Sequence, residues 1–114
     1  MESHFHLDAR ADGNAAVLTL RGELDLAASP VLEEELDKAL GSKVPLVLVD
    51  LRQLDFMDSM GLSALVRAHQ RAEQTGQRFV LVNGSPQVQR LLSLTGIAER
   101  MTLVDDPDDA LRDD

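Results

Sequence analysis

A serine that could undergo covalent chemistry stands between a strand-like and a helix-like part of the sequence. The stretch reads DLRQLDFMDSMGLSAL, in which Asp58-Ser59-Met60-Gly61 separates an apolar run from a helical pattern. Asp58 and Ser59 are both good helix N-cap residues, because their side-chain oxygens accept hydrogen bonds from unpaired backbone N–H groups. Neither is followed by Glu or Gln three residues later, so there is no capping box and one of the two is redundant as a cap.

A serine between a strand and a helix is also the position of a hydrolase nucleophile. That arrangement needs glycine two residues earlier, where this chain has Met57, and it needs a base. The histidines are His4 and His6, expected to face solvent on an edge strand, and His69, expected to be partly buried on a helix. His4 and His6 could supply two metal ligands, but the spacing suggests no third. We therefore expect no catalytic residue, no metal and no cofactor.

Phosphorylation of Ser59 is the third possibility. A phosphate there would lie at a helix N-terminus, where the macrodipole and unpaired N–H groups favour an anion. It would add about −1.5 to −2 charges to a chain whose formal net charge is already −9. The added charge makes docking of an acidic or apolar partner less favourable, so the modification could end a contact without unfolding the chain.

Length and composition narrow the class of protein. A chain of 114 residues with 44% hydrophobic residues can build one domain around one core, and the absence of Cys excludes thiol chemistry and disulfides. The acidic charge disfavours nucleic acid and anionic membranes, and 3% aromatic residues leave little material for base stacking. No apolar run approaches the roughly 20 residues that span a bilayer. The expected location is the cytoplasm.

The hydrophobic pattern predicts an α/β domain. Strands are predicted at 4–10, 16–26, 44–51, 78–83 and 100–106, and helices at 29–41, 59–76 and 85–95. The first two strands form a hairpin with Asp12-Gly13 or Gly13-Asn14 at its tip, at the edge of a mixed sheet whose parallel strands are followed by helices. The continuous apolar run at 44–51 predicts a parallel neighbour.

Local signals mark the ends of these elements. Ser29 and Ser85 each precede a proline and are predicted N-caps, and Gly76 is the predicted C′ residue of the helix that begins at Ser59. Six aspartates in the last ten residues predict a solvated, fraying tail. The segment around Ser59 follows a parallel strand, where open α/β sheets hold their functional crevices.

Three blocks of the sequence resemble the anti-sigma factor antagonists, which are bacterial STAS-domain proteins. The blocks read RGELDLAASPVLEEEL, LVLVDLRQLDFMDSMGL and SPQVQRLLSLTGI, and the resemblance runs from about Val17 to Val104. The central D-F-M-D-S-x-G-L is the most specific part. The resemblance implies a single STAS domain over residues 1–114, with a core at about 4–104 and an acidic tail at 105–114.

The same resemblance implies a partner-switching protein without enzymatic activity. Unphosphorylated members of the family bind an anti-sigma factor that is also a serine kinase, and so release its sigma factor in transcription programmes such as stress response or sporulation. Phosphorylation ends that binding, and a PP2C-type phosphatase reverses it. This chain lacks the Gly-x-x-x-x-Gly-Lys-Ser/Thr loop that cradles nucleotide phosphates, so the kinase is expected to bring the ATP.

The resemblance also assigns site residues. Ser59 matches the phosphorylated serine, Asp25 matches the aspartate of the G-E-L-D block that lies beside it, and Asp58 and Gly61 fill their places in the central motif. The two aspartates could accept a hydrogen bond from the Ser59 hydroxyl. Alternatively, Asp25 forms a turn and Asp58 caps the helix.

One position departs from the family pattern. Met60 follows the acceptor serine where the family usually has Ser or Thr, which puts kinase recognition in question and adds a flexible apolar side chain beside the acceptor. Ser63 and Arg67, later on the same helix, are candidate partner contacts. The departure supports an alternative function, an unphosphorylated STAS scaffold or sensory module in a larger assembly.

Overall fold

The computed structural model describes residues 4–112 of the chain. The strands are β1 (Phe5–Asp12), β2 (Ala15–Leu24), β3 (Leu46–Met57), β4 (Arg78–Val82) and β5 (Thr102–Val104). The helices are α1 (Ser29–Gly41), α2 (Ser59–Thr75), α3 (Pro86–Leu94), α4 (Ile97–Arg100) and α5 (Pro107–Leu111). Every helix in the described part of the chain is too short or too polar to span a lipid bilayer.

The strands form one mixed sheet in the order β1-β2-β3-β4-β5. β1 and β2 are antiparallel and form an edge hairpin, whereas β2, β3, β4 and β5 are mutually parallel. Asp12 pairs with Ala15, so Gly13 and Asn14 form the tip of the hairpin. These pairings confirm the predicted fold class and the predicted parallel neighbours of the third strand.

The sheet buries apolar side chains on both of its faces because the parallel strands lie between layers. Helices α1, α2 and α3 cover one face, and their leucines pack against alternate residues of the central strands; the buried set includes Leu20, Leu32, Val49, Leu65, Leu81 and Leu92. The other face holds a smaller cluster that includes Val17, Leu48 and Val80, and Ala110 of α5 packs onto it. The solvated tail predicted after residue 104 is therefore wrong for α5, because Ala110 is 1% exposed.

The helix-start predictions had different outcomes. Ser85 caps α3, since its hydroxyl accepts a hydrogen bond from Val88 N at 3.3 Å. The prediction that Ser29 caps α1 is wrong, because Ala28 occupies the N-cap position and Ser29 is buried. Gly76 ends α2 with φ 75°, the left-handed conformation that glycine adopts without strain.

A buried aspartate interrupts the apolar face of β3. Asp50 is 5% exposed, and its carboxylate accepts hydrogen bonds from Arg52 Nη2 at 2.8 Å, Arg52 Nε at 3.0 Å and the Arg52 backbone N at 3.0 Å. Burial alone raises the pKa of the Asp50 carboxyl, but the hydrogen bonds and the positive charge of Arg52 outweigh it and lower the pKa below its ordinary value. The fold therefore favours the ionised form of Asp50.

We predict that Asp50→Asn lowers the free energy of unfolding by about 1–2 kcal/mol at pH 7, because it removes an ionic partner from Arg52. The Asp50 carboxyl has a lower pKa in the folded chain than in the unfolded chain. Its contribution to the free energy of unfolding is therefore complete above the pKa of the unfolded chain, about 3.9. That contribution is lost as the pH falls through the lower pKa of the folded chain. Urea unfolding at several pH values should show the variant and the original chain converging in acid. Asp55→Asn, an exposed position on the same strand, is the control, and a difference that stays constant with pH would contradict the prediction.

Candidate functional site

The carboxyl ends of β2 and β3 bring the two halves of the candidate site together. β3 continues well past the predicted strand because its last residues pair with the end of β2, with Leu24 opposite Met57. The Asp58 backbone N donates to the Leu24 carbonyl at 3.0 Å. Asp25 and Asp58 directly follow these strands, so both lie at the carboxyl end of the parallel strands. This register brings the segments of Asp25 and Asp58 together, and the role of Asp25 beside a phosphorylated serine stays a prediction.

Asp58 is the N-cap of α2. Its Oδ1 accepts hydrogen bonds from Met60 N at 2.9 Å and Gly61 N at 3.1 Å, and its carbonyl accepts one from Leu62 N at 3.1 Å. These bonds satisfy backbone N–H groups of the first helical turn. Ser59 is thus not needed as a cap. Its side chain is exposed, and its hydroxyl has no hydrogen-bond partner within residues 4–112.

Asp25 organises the turn that leads into α1. Its Oδ1 and its carbonyl both accept from Ala28 N at 3.1 Å, and the carbonyl also accepts from Ser29 N at 2.9 Å. Of the alternatives left open by the sequence, the structure has the turn for Asp25 and the cap for Asp58. In the described chain neither carboxylate accepts a hydrogen bond from Ser59, and the Oδ1 atom of each accepts from backbone N–H groups instead.

Gly61 is required by the close packing of α2 onto the end of β2. A Cβ atom at this position would lie 2.5 Å from Leu24 Cγ, 2.7 Å from Leu24 Cδ2 and 3.2 Å from the Leu24 carbonyl oxygen. Leu24 is fully buried. The glycine therefore lets the first turn of α2 rest on β2 and fixes where Ser59 stands.

Apolar side chains are exposed around the site. Leu26, directly after Asp25, is 65% exposed, and Phe56 and Met60 are each 43% exposed. Phe56 also lines a cleft of about 240 Å³ against Leu91 and Leu94 of α3. Sequence reasoning singled out Met60 but missed Phe56 and the cleft. The signal was the apolar Phe56 beside the equally apolar Met57, which no alternating strand can bury together on one face.

The candidate contacts later on α2 differ in their availability. Ser63 is exposed one helical turn after Ser59. Arg67 forms an ion pair with Glu33 of α1, and Arg71 pairs with Asp37 at 2.7 Å. Arg67 therefore links α2 to α1, and a partner that used its guanidinium would have to share it with Glu33.

Within residues 4–112, none of the three histidines forms a hydrogen bond with Ser59. His69 is half-buried, and its ring packs edge-on against Phe79 with centroids 6.3 Å apart. His4 and His6 are exposed at the start of the edge hairpin. Among residues 4–112, no group of three His, Asp or Glu side chains is placed to hold a metal ion. An activated serine needs a bonded base, which the Ser59 hydroxyl lacks in the described chain.

The fold and the site together define an α/β domain with a mixed sheet. At the N-terminus of one helix it presents a serine whose hydroxyl has no hydrogen-bond partner in the described chain, with exposed apolar side chains nearby. The chain belongs to the STAS domain family, whose family model matches residues 6–110. This result confirms the family resemblance of the three sequence blocks.

Proteins similar to this chain come from several bacteria. The anti-sigma-F factor antagonist RsfB of Mycobacterium tuberculosis is 30% identical over 102 residues, which cover 89% of this chain and 83% of RsfB. The crystal structure of an anti-sigma factor antagonist from Mycobacterium paratuberculosis superposes with a TM-score of 0.83 at 26% identity, covering 95% of this chain and 92% of that one. The unphosphorylated form of the anti-sigma factor antagonist SpoIIAA gives 0.77 at 25% identity, covering 95% and 94%.

Proposed function

We propose that this chain is an anti-sigma factor antagonist whose binding is switched by phosphorylation of Ser59. The unphosphorylated form binds an anti-sigma factor that is also a serine kinase, and the bound sigma factor is released. The kinase then phosphorylates Ser59 and ends the contact. The names of the similar proteins, one of which was solved in an unphosphorylated form, support the antagonist class. The cytoplasmic location expected from the sequence is part of this proposal.

The observation that carries the proposal is the free Ser59 hydroxyl at the start of the 17-residue helix α2. Because Asp58 does the capping, a phosphate on Ser59 replaces no hydrogen bond of the described chain. The helix N-terminus tolerates the new anion. The modification can therefore change the surface while leaving the fold in place.

The surface that the phosphate would alter consists of apolar side chains with two aspartate side chains beside them. Leu26, Phe56 and Met60 are exposed near the ends of β2 and β3, beside the carboxylates of Asp25 and Asp58. A partner that docks there must bury apolar area and remove water from the serine. A dianionic phosphate makes that desolvation expensive and repels acidic groups of the partner.

The chain acts as substrate and ligand in this proposal, and it has no catalytic role. The kinase brings ATP, and a PP2C-type phosphatase restores the hydroxyl. Ser63 is a contact residue one turn further along the exposed face of α2. Asp25 and Asp58 position the acceptor through the turn and the cap that they form.

Phosphorylation mapping tests the proposal. We predict that the purified chain, incubated with ATP and its anti-sigma factor kinase, gains one phosphate on Ser59, seen by mass spectrometry of the peptides. Ser59→Ala should abolish the transfer, and Ser93→Ala, at an exposed serine of α3, should keep it. An unmodified Ser59 in a mixture that does form the complex would contradict the switch.

A second function is favoured by Met60 and by the cleft beside Phe56. Both are apolar, and Met60 stands where the family usually has a hydroxyl. An unphosphorylated scaffold in a larger assembly would use this surface permanently. It predicts a stable complex with another subunit whose affinity is the same for Ser59→Ala and Ser59→Asp.

A further inference from the structure

The outer edge of β1 is open in the described chain, where β1 pairs with β2 alone. His4 accepts a backbone hydrogen bond from Glu23 N at 3.0 Å. In an antiparallel ladder the hydrogen-bonded pairs alternate, so the even-numbered residues of β1 direct their backbone groups toward β2. The backbone N–H and C=O groups of Leu7, Ala9 and Ala11 consequently point away from the sheet. They form a template on which another strand can add.

The two faces of β1 differ in chemistry. His6, Asp8, Arg10 and Asp12 are all exposed on one face, and they alternate between basic and acidic residues. Arg10 Nη1 and Asp12 Oδ2 are 3.3 Å apart on this face.

The opposite face of β1 is apolar and uncrowded. Ala9 and Ala11 are exposed and line a cleft of about 370 Å³ between the hairpin and α1, together with Ala39 and Val44. Small side chains on this face leave room for a neighbouring strand.

We propose that a second copy of this chain adds its own β1 to this edge as an antiparallel strand, with the two-fold axis at Ala9. Ala9 then lies opposite Ala9 of the other copy, and Leu7 lies opposite Ala11, all in hydrogen-bonded pairs. On the charged face, Asp8 lies opposite Arg10. His6 lies opposite Asp12. The result is a continuous sheet through a symmetric dimer.

The charge pattern selects this register over its neighbours. An axis at Asp8 places Asp8 opposite itself, and an axis at Arg10 places Arg10 opposite itself and Asp8 opposite Asp12. Like charges directly opposite each other across strands are destabilising. An axis between two residues would pair outward-pointing backbone groups with inward-pointing ones.

Registers centred on the other outward-pointing residues are weaker for a different reason. An axis at Leu7 or at Ala11 lies near one end of β1, so fewer residues of the two strands overlap, and the first of these places His4 opposite Arg10. Only the axis at Ala9 both pairs the outward-pointing N–H and C=O groups of the two β1 strands and places opposite charges across from each other along most of the strand.

The dimer is independent of the proposed phosphorylation switch. β1 is at one edge of the sheet, whereas Ser59 follows the central strand β3. A single added strand buries less area than a standard stable interface, so we expect association that depends on protein concentration. The partner-binding surface of each copy stays accessible in this arrangement.

Charge reversal tests the register directly. Sedimentation velocity of the full chain, from about 10 μM to about 1 mM, should show a monomer–dimer equilibrium in this weak-interface range. Asp8→Arg and Arg10→Asp should each weaken dimerisation by about tenfold or more, because each creates like-charged pairs across the axis. An equimolar mixture of these two variants should recover the dimer, since the arginine introduced in one copy would face the aspartate introduced in the other.

The controls make every outcome decisive. Asp55→Arg, at an exposed position on β3, makes the same change of charge away from the edge and should leave dimerisation unaltered. Circular dichroism checks that each variant is folded. A chain that stays monomeric throughout the concentration range overturns the proposal. So does a dimer that is insensitive to both reversals, or one that the mixture fails to restore.

Discussion

Ser59→Asp is expected to weaken binding to the proposed anti-sigma factor kinase by about 100-fold or more, whereas Ser59→Ala is expected to bind as tightly as the original chain. The aspartate places a permanent charge on the surface that the partner must desolvate, beside the exposed side chains of Phe56 and Met60. The alanine removes the acceptor but keeps the surface neutral. Neither change disturbs the cap, because Asp58 supplies it.

Stability separates this effect from misfolding. A negative charge in the first turn of a helix is favourable by about 0.3–1 kcal/mol, so Ser59→Asp should melt at the same temperature as the original chain or slightly higher. Titration calorimetry measures the affinity, and Ser93→Asp, at an exposed serine of α3, controls for added charge alone. Equal affinities for the Asp and Ala variants at Ser59 would refute the switch and support the scaffold.

Gly61→Ala is expected to lower the free energy of unfolding by about 1–2 kcal/mol, although alanine is the better helix former. Its Cβ would lie 2.5 Å from Leu24 Cγ, and Leu24 is fully buried, so its side chain cannot turn out into solvent without losing core contacts. Either Leu24 leaves its preferred rotamer or the first turn of α2 moves away from β2. In the second case the Asp58 cap and the Ser59 acceptor move as well, so both kinase binding and phosphate transfer should weaken.

Gly41→Ala is the matched control for this substitution. A Cβ at Gly41, the last residue of α1, meets no atom within 4 Å, and its φ is not positive. This change should leave stability unaltered or raise it by about 0.5 kcal/mol. Urea unfolding compares the two variants. A Gly61→Ala protein as stable as Gly41→Ala would show that the contact with Leu24 is not restrictive.

The secondary structure was largely predictable because it depends on local chemistry. Alternating residues gave the edge hairpin, and Ser85-Pro86 gave the start of α3. The identical pair Ser29-Pro30 led to the wrong N-cap for α1. The turn at Asp25 places Ser29 inside the first helical turn, where it is buried. The acidic composition of the C-terminal residues led to the wrong prediction of a solvated tail. Ala110 and Leu111 pack against an apolar face of the sheet, which the composition of the tail does not reveal. In each case a nonlocal contact outweighed the local signal.

The candidate site divides along the same line. By itself the sequence determined that a serine follows a strand and begins a helix, that Asp58 and Gly61 accompany it, and that three motif blocks match the STAS family. These properties depend on residue types and short spacings. The assignment of Ser59 as the phosphorylated residue remains a prediction.

Only the tertiary structure decided which role each neighbour of Ser59 has. The pairing of Leu24 with Met57 brings Asp25 to the same edge as Asp58, and the packing of α2 on Leu24 explains Gly61. The structure also shows that Asp58 is the N-cap of α2 and that Arg67 forms an ion pair with Glu33. It shows as well that the apolar side chains around the serine are exposed. These features depend on strand register and helix packing, which join residues far apart in the chain and have no signature in any single segment.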